Sequence, residues 1–194
     1  MNPITGLLLA AGSSRRFGSD KRWHRFADGT PMALQAARRL LAACPRSVAV
    51  VRANDVELAG LLTAAGLRCV VAEHADNGMG HSLARGVAAT AAASGWLVAL
   101  ADMPFIAPAS YAAVLGALAD GARIARPVFD GRSGHPVGFA AAFRDDLLAL
   151  AGDQGGKVII DRDPAALCRC PVDDPGVLHD IDRLDPARPV SGGD

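Results

Sequence analysis

The residues best suited to chemistry lie near the start of the chain. Leu9-Ala10-Ala11-Gly12-Ser13-Ser14-Arg15-Arg16-Phe17-Gly18-Ser19-Asp20-Lys21 is a turn of small residues followed by three cations, Arg15, Arg16 and Lys21, within seven positions. That combination suits an anion of the phosphate type. Gly12 and its small neighbours Ala10 and Ala11 let backbone N–H groups approach closely, Ser14 adds a hydroxyl donor, and Arg16 and Lys21 supply fixed positive charge. The same composition also describes a basic surface turn. The spacing excludes two common phosphate motifs, since Gly12 and Gly18 form neither G-x-G-x-x-G nor G-x-x-x-x-G-K-[ST]. Gly152-Asp153-Gln154-Gly155-Gly156-Lys157 is one residue short of the latter and ends in Val158, where a hydroxyl would be needed to hold a metal ion.

Carboxylates come next. Asp102 directly follows the apolar run Trp96 to Leu100, which would place a hard oxygen ligand at the C-terminal end of a strand. A lone Asp at that position also serves as a turn or cap residue. Asp180 and Asp182 lie two apart, so in extended backbone they share a face. Gly78-Met79-Gly80-His81-Ser82 precedes a stretch with helical character. In Gly134-His135-Pro136 the proline holds the histidine extended, and Gly155-Gly156 has the composition of a plain turn.

The elements that must position these residues follow from periodicity. Short β-branched or Leu-rich runs at Ile4–Ala10, Ser47–Val51, Arg68–Val71, Trp96–Leu100 and Ala122–Pro127 are expected as strands. Between them a helix is expected after Thr30, with Thr30 as cap and Pro31 in the first turn, burying Ala33, Ala36, Ala37, Leu40 and Leu41. Further helices are expected at Asp55–Ala65 ending at Gly66, Ser82–Ala93, Pro108–Leu118 and Ala140–Leu150. Strands alternating with helices predict a single α/β domain over residues 1–185, with a mostly parallel sheet and helices on both faces. Residues 186–194 read as a flexible tail.

Composition narrows the partners. The chain has 194 residues, 51% of them hydrophobic, and its 20 basic and 20 acidic residues cancel, which argues against disorder and against a nucleic-acid partner. No stretch approaches the roughly 20 apolar residues of a membrane span. The run Ile4–Ala11 is short and lacks a preceding Lys or Arg, so a cytoplasmic protein without a membrane partner is expected. Cys44, Cys69, Cys168 and Cys170 form no C-x-x-C pair and read as reduced core residues.

The first segment resembles the L-A-A-G-x-S-x-R-x-G-x-x-K signature of the MobA-like nucleotidyltransferases, with Phe17 where Met is usual. Five later segments continue the resemblance in order. They are Asn77 to Leu83, Leu100-Ala101-Asp102-Met103-Pro104, Ser133-Gly134-His135-Pro136-Val137, Gly152 to Gly156, and Asp180-Ile181-Asp182. The resemblance is strongest to the cytidylyltransferase branch, because the guanylyltransferase branch usually reads L-A-G-G at Leu9 to Gly12.

The resemblance implies a Rossmann-like three-layer α/β/α fold of the nucleotide-diphospho-sugar transferase type. It also implies a Mg²⁺-dependent transfer of CMP from CTP to a molybdopterin-type acceptor. Leu9, Ala10, Ala11, Gly12, Ser14, Arg16, Lys21, Gly78, Met79, Gly80, Ser82 and Asp102 would bind nucleotide, with Arg16, Lys21 and Asp102 catalytic. Asp102 and Asp182 would hold the metal, supported by Asp180. Gly134, His135, Pro136 and the loop with Asp153, Gly155 and Gly156 would face the acceptor. A molybdoenzyme or its maturation chaperone is implied as a protein partner. Two departures stand out: His81 replaces a usual Ser, and Arg183-Leu184 follows Asp182 where Thr-Pro is usual. The alternatives are a guanylyltransferase using GTP, a sugar-phosphate nucleotidyltransferase, a glycosyltransferase, and a nucleotide-binding protein without turnover. The glycosyltransferase is disfavoured because Ala101-Asp102-Met103 offers one Asp where D-x-D would be needed.

Overall fold

The computed structural model describes residues 3–12 and 20–181. Strand β1 (Thr5–Leu9) lies at the centre, β2 (Ser47–Arg52) and β3 (Arg68–Ala72) add to one edge, and β4 (Gly95–Leu100) joins the other, all parallel. β7 (Val137–Ala140) then pairs antiparallel with β4, and β5 (Ile124–Phe129) antiparallel with β7. The two-residue β6 (Arg132–Ser133) folds back on β5, while β8 (Leu167–Pro171) runs parallel along it. The eight-stranded sheet reads β3-β2-β1-β4-β7-β5-β6, with β8 on β5. The direction of strand addition reverses between β1 and β4. At such a switch point the loops leaving the C-terminal strand ends diverge and open a crevice.

Alternation along the strands feeds two cores. Leu8 and Ala10, Ala49 and Val51, and Leu97 and Ala99 point to one face. There they meet Ala33, Ala36, Ala37 and Leu40 of α1 (Met32–Ala43), Leu58 and Leu62 of α2 (Val56–Ala64), and Tyr111 and Val114 of α4 (Pro108–Ala119). Leu7, Val48, Val50, Trp96 and Val98 point to the other face. That face is covered by Leu83 and Val87 of α3 (Met79–Ala88), Leu147 of α5 (Arg144–Leu148), and Ile159 and Ile160 of α6 (Lys157–Arg162). Each fully buried Leu or Val contributes about 1.5–3 kcal/mol. The three alanines on the buried side of α1 give no bulk to hold the helix off the sheet.

The architecture is the expected three-layer α/β domain, and several details differ. Helix α1 begins at Met32 with Pro31 at its cap and no side-chain cap, because the Thr30 hydroxyl donates to Asp28 at 2.9 Å. Helix α3 starts three residues before the expected Ser82, at Met79, and ends at Ala88. The expected Ala140–Leu150 helix is a 3₁₀ turn over Ala141–Phe143 followed by the short α5. Strands β6, β7 and β8 and helix α6 were not expected. Cys44 and Cys170 are buried as expected and all four thiols are free, but Cys168 is exposed and Cys69 half-buried. The tail expected at 186–194 lies outside the described residues. Among the described residues no helix is long and apolar enough to cross a membrane.

Candidate active site

Three segments converge at the switch point between β1 and β4. The first is the end of β1 with Ala10, Ala11 and Gly12, where Ala10 N donates to Val50 O at 2.9 Å. The second is the turn after β4, where Ala101 N donates to Leu9 O at 3.1 Å and carries Asp102 beside the β1 end. The third is the 3₁₀ turn Lys21–Trp23, capped by Asp20, whose carboxylate accepts from Arg22 N at 3.1 Å. Lys21 Nζ lies 2.7 Å from Asp102 Oδ2, with the two side chains 13% and 24% exposed. The pair is open enough to be reached by a ligand and closed enough for its charges to act through less than full solvent screening.

The last of the described residues lie beside Asp102. Ile181 is buried against Met32, and its N–H donates to the Asp102 carbonyl at 3.0 Å. Asp180, its exposed neighbour, is thereby brought beside the Asp102 turn. Asp174 anchors this strap. Its buried carboxylate accepts from Ala107 N at 2.7 Å and the Ser110 hydroxyl at 2.6 Å, at the start of α4, and from Gly176 N at 2.9 Å. Val177 O in turn accepts from His135 N at 2.9 Å. Gly134 is required there, since a Cβ would stand 2.2 Å from Val177 O.

His135 comes close to Asp102 but does not pair with it. Its Nδ1 is buried without a hydrogen-bond partner. Burial, reinforced by the positive charge of Arg126 and opposed by Asp102, pushes its pKa down to about 4. The ring is therefore neutral near pH 7.

The segments expected to face the base and the acceptor pack directly on each other. Gly78 has φ 120°, and a Cβ there would lie 2.1 Å from the Gly152 carbonyl carbon. Gly80 N donates to Gly152 O at 2.9 Å, and a Cβ on Gly80 would lie 2.7 Å from Gln154 O. The glycines of Asn77 to Ser82 thus seat backbone against the loop of Asp153, Gly155 and Gly156. Met79 is 46% exposed at the start of α3, His81 is half-buried and Ser82 is buried.

Ser14, Arg16 and Asp182 lie outside the described residues. Among the described residues no three His, Cys, Asp or Glu side chains form a group able to hold a metal ion.

Sequence reasoning missed one cluster. Arg22, 2% exposed, uses all five of its N–H groups. Nε and one Nη2 hydrogen bind the two Asp20 oxygens at 2.8 and 2.5 Å, the other Nη2 hydrogen binds Asp55 Oδ1 at 2.8 Å, and Nη1 binds Asp55 Oδ2 and, at 2.5 Å, Ala10 O. Arg52 adds two bonds to Asp55 at 3.0 and 3.1 Å. Burial works against ionisation of Asp55, but the bonds from Arg22 and Arg52 outweigh it and hold the carboxyl down at about 2. An Arg following a Lys reads as more basic surface. Only the fold brings the distant Asp55 to it.

With this geometry in place, comparison with known proteins defines the class. Residues 6–167 match the MobA-like NTP transferase domain, and the chain belongs to that family. The protein that this fold and family describe is a nucleotidyltransferase. The chain is 27% identical over 191 residues to the nicotine blue oxidoreductase of Paenarthrobacter nicotinovorans, covering 94% of this chain and 93% of that one. Rv0371c from Mycobacterium tuberculosis H37Rv superposes with a TM-score of 0.79 at 25% identity, over 95% of each chain. A structure of Rv0371c is described as a complex with manganese. A nucleotidyl transferase from Methanothermobacter thermautotroptrophicus has a TM-score of 0.79 at 22% identity over 94% of this chain and 93% of that one, and shares the fold.

Proposed function

We propose that the chain is a molybdenum cofactor cytidylyltransferase, transferring CMP from CTP to the terminal phosphate of molybdenum-bound molybdopterin and releasing pyrophosphate. The observation that carries this reading is the contact of Lys21 with Asp102 at the β1–β4 switch point, where a cation and a hard carboxylate stand side by side at the mouth of a glycine turn.

A divalent ion suits the donors present. Mg²⁺ is held through one or two carboxylates together with substrate phosphates and water, so Asp102 with Asp182, supported by Asp180, is a sufficient set. When bound, the ion screens the triphosphate and draws charge from the reacting phosphorus. The rest falls to the chain's own groups. Backbone N–H groups of Ala11 and Gly12, just beyond the sheet-bonded Ala10, and the Ser14 hydroxyl cradle the phosphates, and Arg16 and Lys21 hold the departing pyrophosphate. A phosphate oxygen of the acceptor attacks the α-phosphorus as the bond to the β-phosphate oxygen breaks, and the electron pair leaves with pyrophosphate. The nucleophile is already ionised near neutral pH and needs no strong base. Neutral His135 then serves as an uncharged polar contact on the acceptor side, next to Gly134 and Pro136, with Asp153, Gly155 and Gly156 completing that side. Ala11 favours cytosine over guanine, a preference worth about 1–3 kcal/mol. The product would pass to a molybdoenzyme or its chaperone in the cytoplasm.

The test is turnover with Mg²⁺, molybdenum-bound molybdopterin and CTP or GTP, reading pyrophosphate and the pterin dinucleotide. CTP-dependent formation of the cytosine dinucleotide supports the reading, and a GTP preference moves the chain to the guanylyltransferase branch. Transfer only to a sugar phosphate would replace the acceptor. No transfer at all points to nucleotide binding without turnover, or to the oxidoreductase chemistry in the relative's name.

A further inference from the structure

We propose that Arg22 is a positioning residue for Lys21, a clamp that ties the end of β1 to the 3₁₀ turn carrying Lys21 and aims the Lys21 ammonium at Asp102. Arg22 and Lys21 are consecutive, and their side chains go opposite ways. Lys21 reaches Asp102 at 2.7 Å, while Arg22 is buried against Ala10, Asp20 and Asp55. The Arg22 guanidinium grips Ala10 O, just beyond β1, and Asp20, the cap of the 3₁₀ turn, so one planar group sets the separation of the two. Asp55 at the start of α2 fixes the guanidinium from the far side, and Arg52 at the end of β2 fixes Asp55.

The arrangement is more than a stabilising ion pair. A single buried pair would leave rotational freedom, whereas two bidentate carboxylates and a carbonyl account for every donor and allow one orientation. A lysine in place of Arg22 would keep the charge and lose the fork. Lys21 sits on a single 3₁₀ turn, and Asp20 on one side of it and Arg22 on the other are both held in the clamp. Displacing the clamp therefore displaces the ammonium, although the clamp's hydrogen bonds go to Ala10, Asp20 and Asp55 and not to Asp102.

The chain has two lysines, Lys21 and Lys157, which makes the position of Lys21 directly readable. Protein labelled with ¹³C at the lysine ε-carbon gives two signals. Asp102→Asn identifies the Lys21 signal and shows where it moves when the pair is broken, while Lys157, exposed and paired with Asp161 on α6, serves as the reference. The measurement needs no nucleotide and no turnover, so its outcome is independent of the proposed function. Arg22→Lys would add a third signal, so Arg22→Met and, as a milder variant, Asp55→Asn are compared, with near-ultraviolet circular dichroism confirming that each is folded. The expected result is that the Lys21 signal shifts toward its Asp102→Asn position in both variants while Lys157 stays in place. An unmoved Lys21 signal in folded Asp55→Asn or Arg22→Met would show that the clamp merely stabilises the fold, and would overturn the proposal.

Discussion

Lys21 and Asp102 are 81 residues apart in sequence, and their charged atoms are 2.7 Å apart in the fold. Each sits just beyond a structure that ends at the same edge of the sheet: Lys21 beyond the turn that follows β1, Asp102 beyond β4. The registers of β1 and β4, with Leu9 opposite Leu100, bring those exits level. The contact therefore depends on the parallel pairing of the two central strands, which levels the exits, and on the bonds of Arg22 that hold the turn carrying Lys21.

If this pair carries the reaction, removing either member should cost far more in rate than in stability. Lys21→Ala and Asp102→Asn are each expected to lower kcat by about 10²–10³-fold while unfolding at nearly the wild-type temperature. Because the two act as one unit, the double variant should lose much less than the product of the single losses, which a cycle of steady-state rates would measure.

Two glycines in the site should respond in opposite ways to the same substitution. Gly78→Ala meets both a positive φ and a Cβ position 2.1 Å from the Gly152 carbonyl carbon, so it should cost at least about 1–3 kcal/mol of stability and separate the two loops. A Cβ on Gly12 has nothing among the described residues within 4 Å. Gly12→Ala should therefore change stability by less than about 0.5 kcal/mol, yet weaken nucleotide binding, because the added methyl would stand in the proposed phosphate cradle. Paired thermal melts with and without nucleotide separate the two effects.

The Arg22–Asp55 clamp predicts a definite acid sensitivity. Asp55 moves from an ordinary 3.8 to about 2 in the folded chain, with Arg22 and Arg52 facing it and Asp20 sharing Arg22. As pH falls below 4 the unfolded state takes up the proton first, so the stabilisation present above that pH is lost between about pH 4 and pH 2. Urea midpoints from pH 5 to pH 2 should fall more steeply for wild type than for Asp55→Asn, which is less stable at pH 5 but lacks this titration.

Asp174 is expected to be a structural residue with a functional consequence. Its carboxylate satisfies Ala107 N, the Ser110 hydroxyl and Gly176 N, so Asp174→Ala should cost about 2 kcal/mol, a drop of roughly 4–8 °C for a chain of this size. The same change loosens the strap that carries Ile181 to Asp102. Stabilisation by nucleotide should fall as well, even though Asp174 touches neither Lys21 nor Asp102.

The parts of the fold that were legible are those with strong local periodicity. The apolar runs ending at Ala10, Val51, Val71 and Leu100 became β1 to β4 within one or two residues, because buried parallel strands are continuously apolar. On the other side of the sheet β5 was legible, expected at Ala122–Pro127 and found at Ile124–Phe129, but its three neighbours were not. β7 has four residues, β6 has two, and the Leu-Cys-Arg-Cys-Pro of β8 carries an arginine and a proline, so none presents a run long enough to stand out. Lys21 and Asp102 were identifiable by residue type and position after a strand, although their contact needed the strand order. Arg22, Asp20, Asp55 and Arg52 were invisible for a different reason: charged residues in sequence read as solvated surface, and only the buried geometry shows them to be a closed set. The seating of Gly78 against Gly152 was equally hidden, since glycines mark where backbones approach but not which ones.

The most direct test of the central claim is thermal unfolding of wild type and Asp102→Ala with Mg²⁺ and CTP, GTP, ATP or UTP in turn. A ligand at 100 times its Kd adds about 2.7 kcal/mol to the stability of the state that binds it. CTP with Mg²⁺ is expected to raise the wild-type unfolding temperature above the other three, and Asp102→Ala to lose most of that gain. Failure of every nucleotide to stabilise the wild type would contradict the claim.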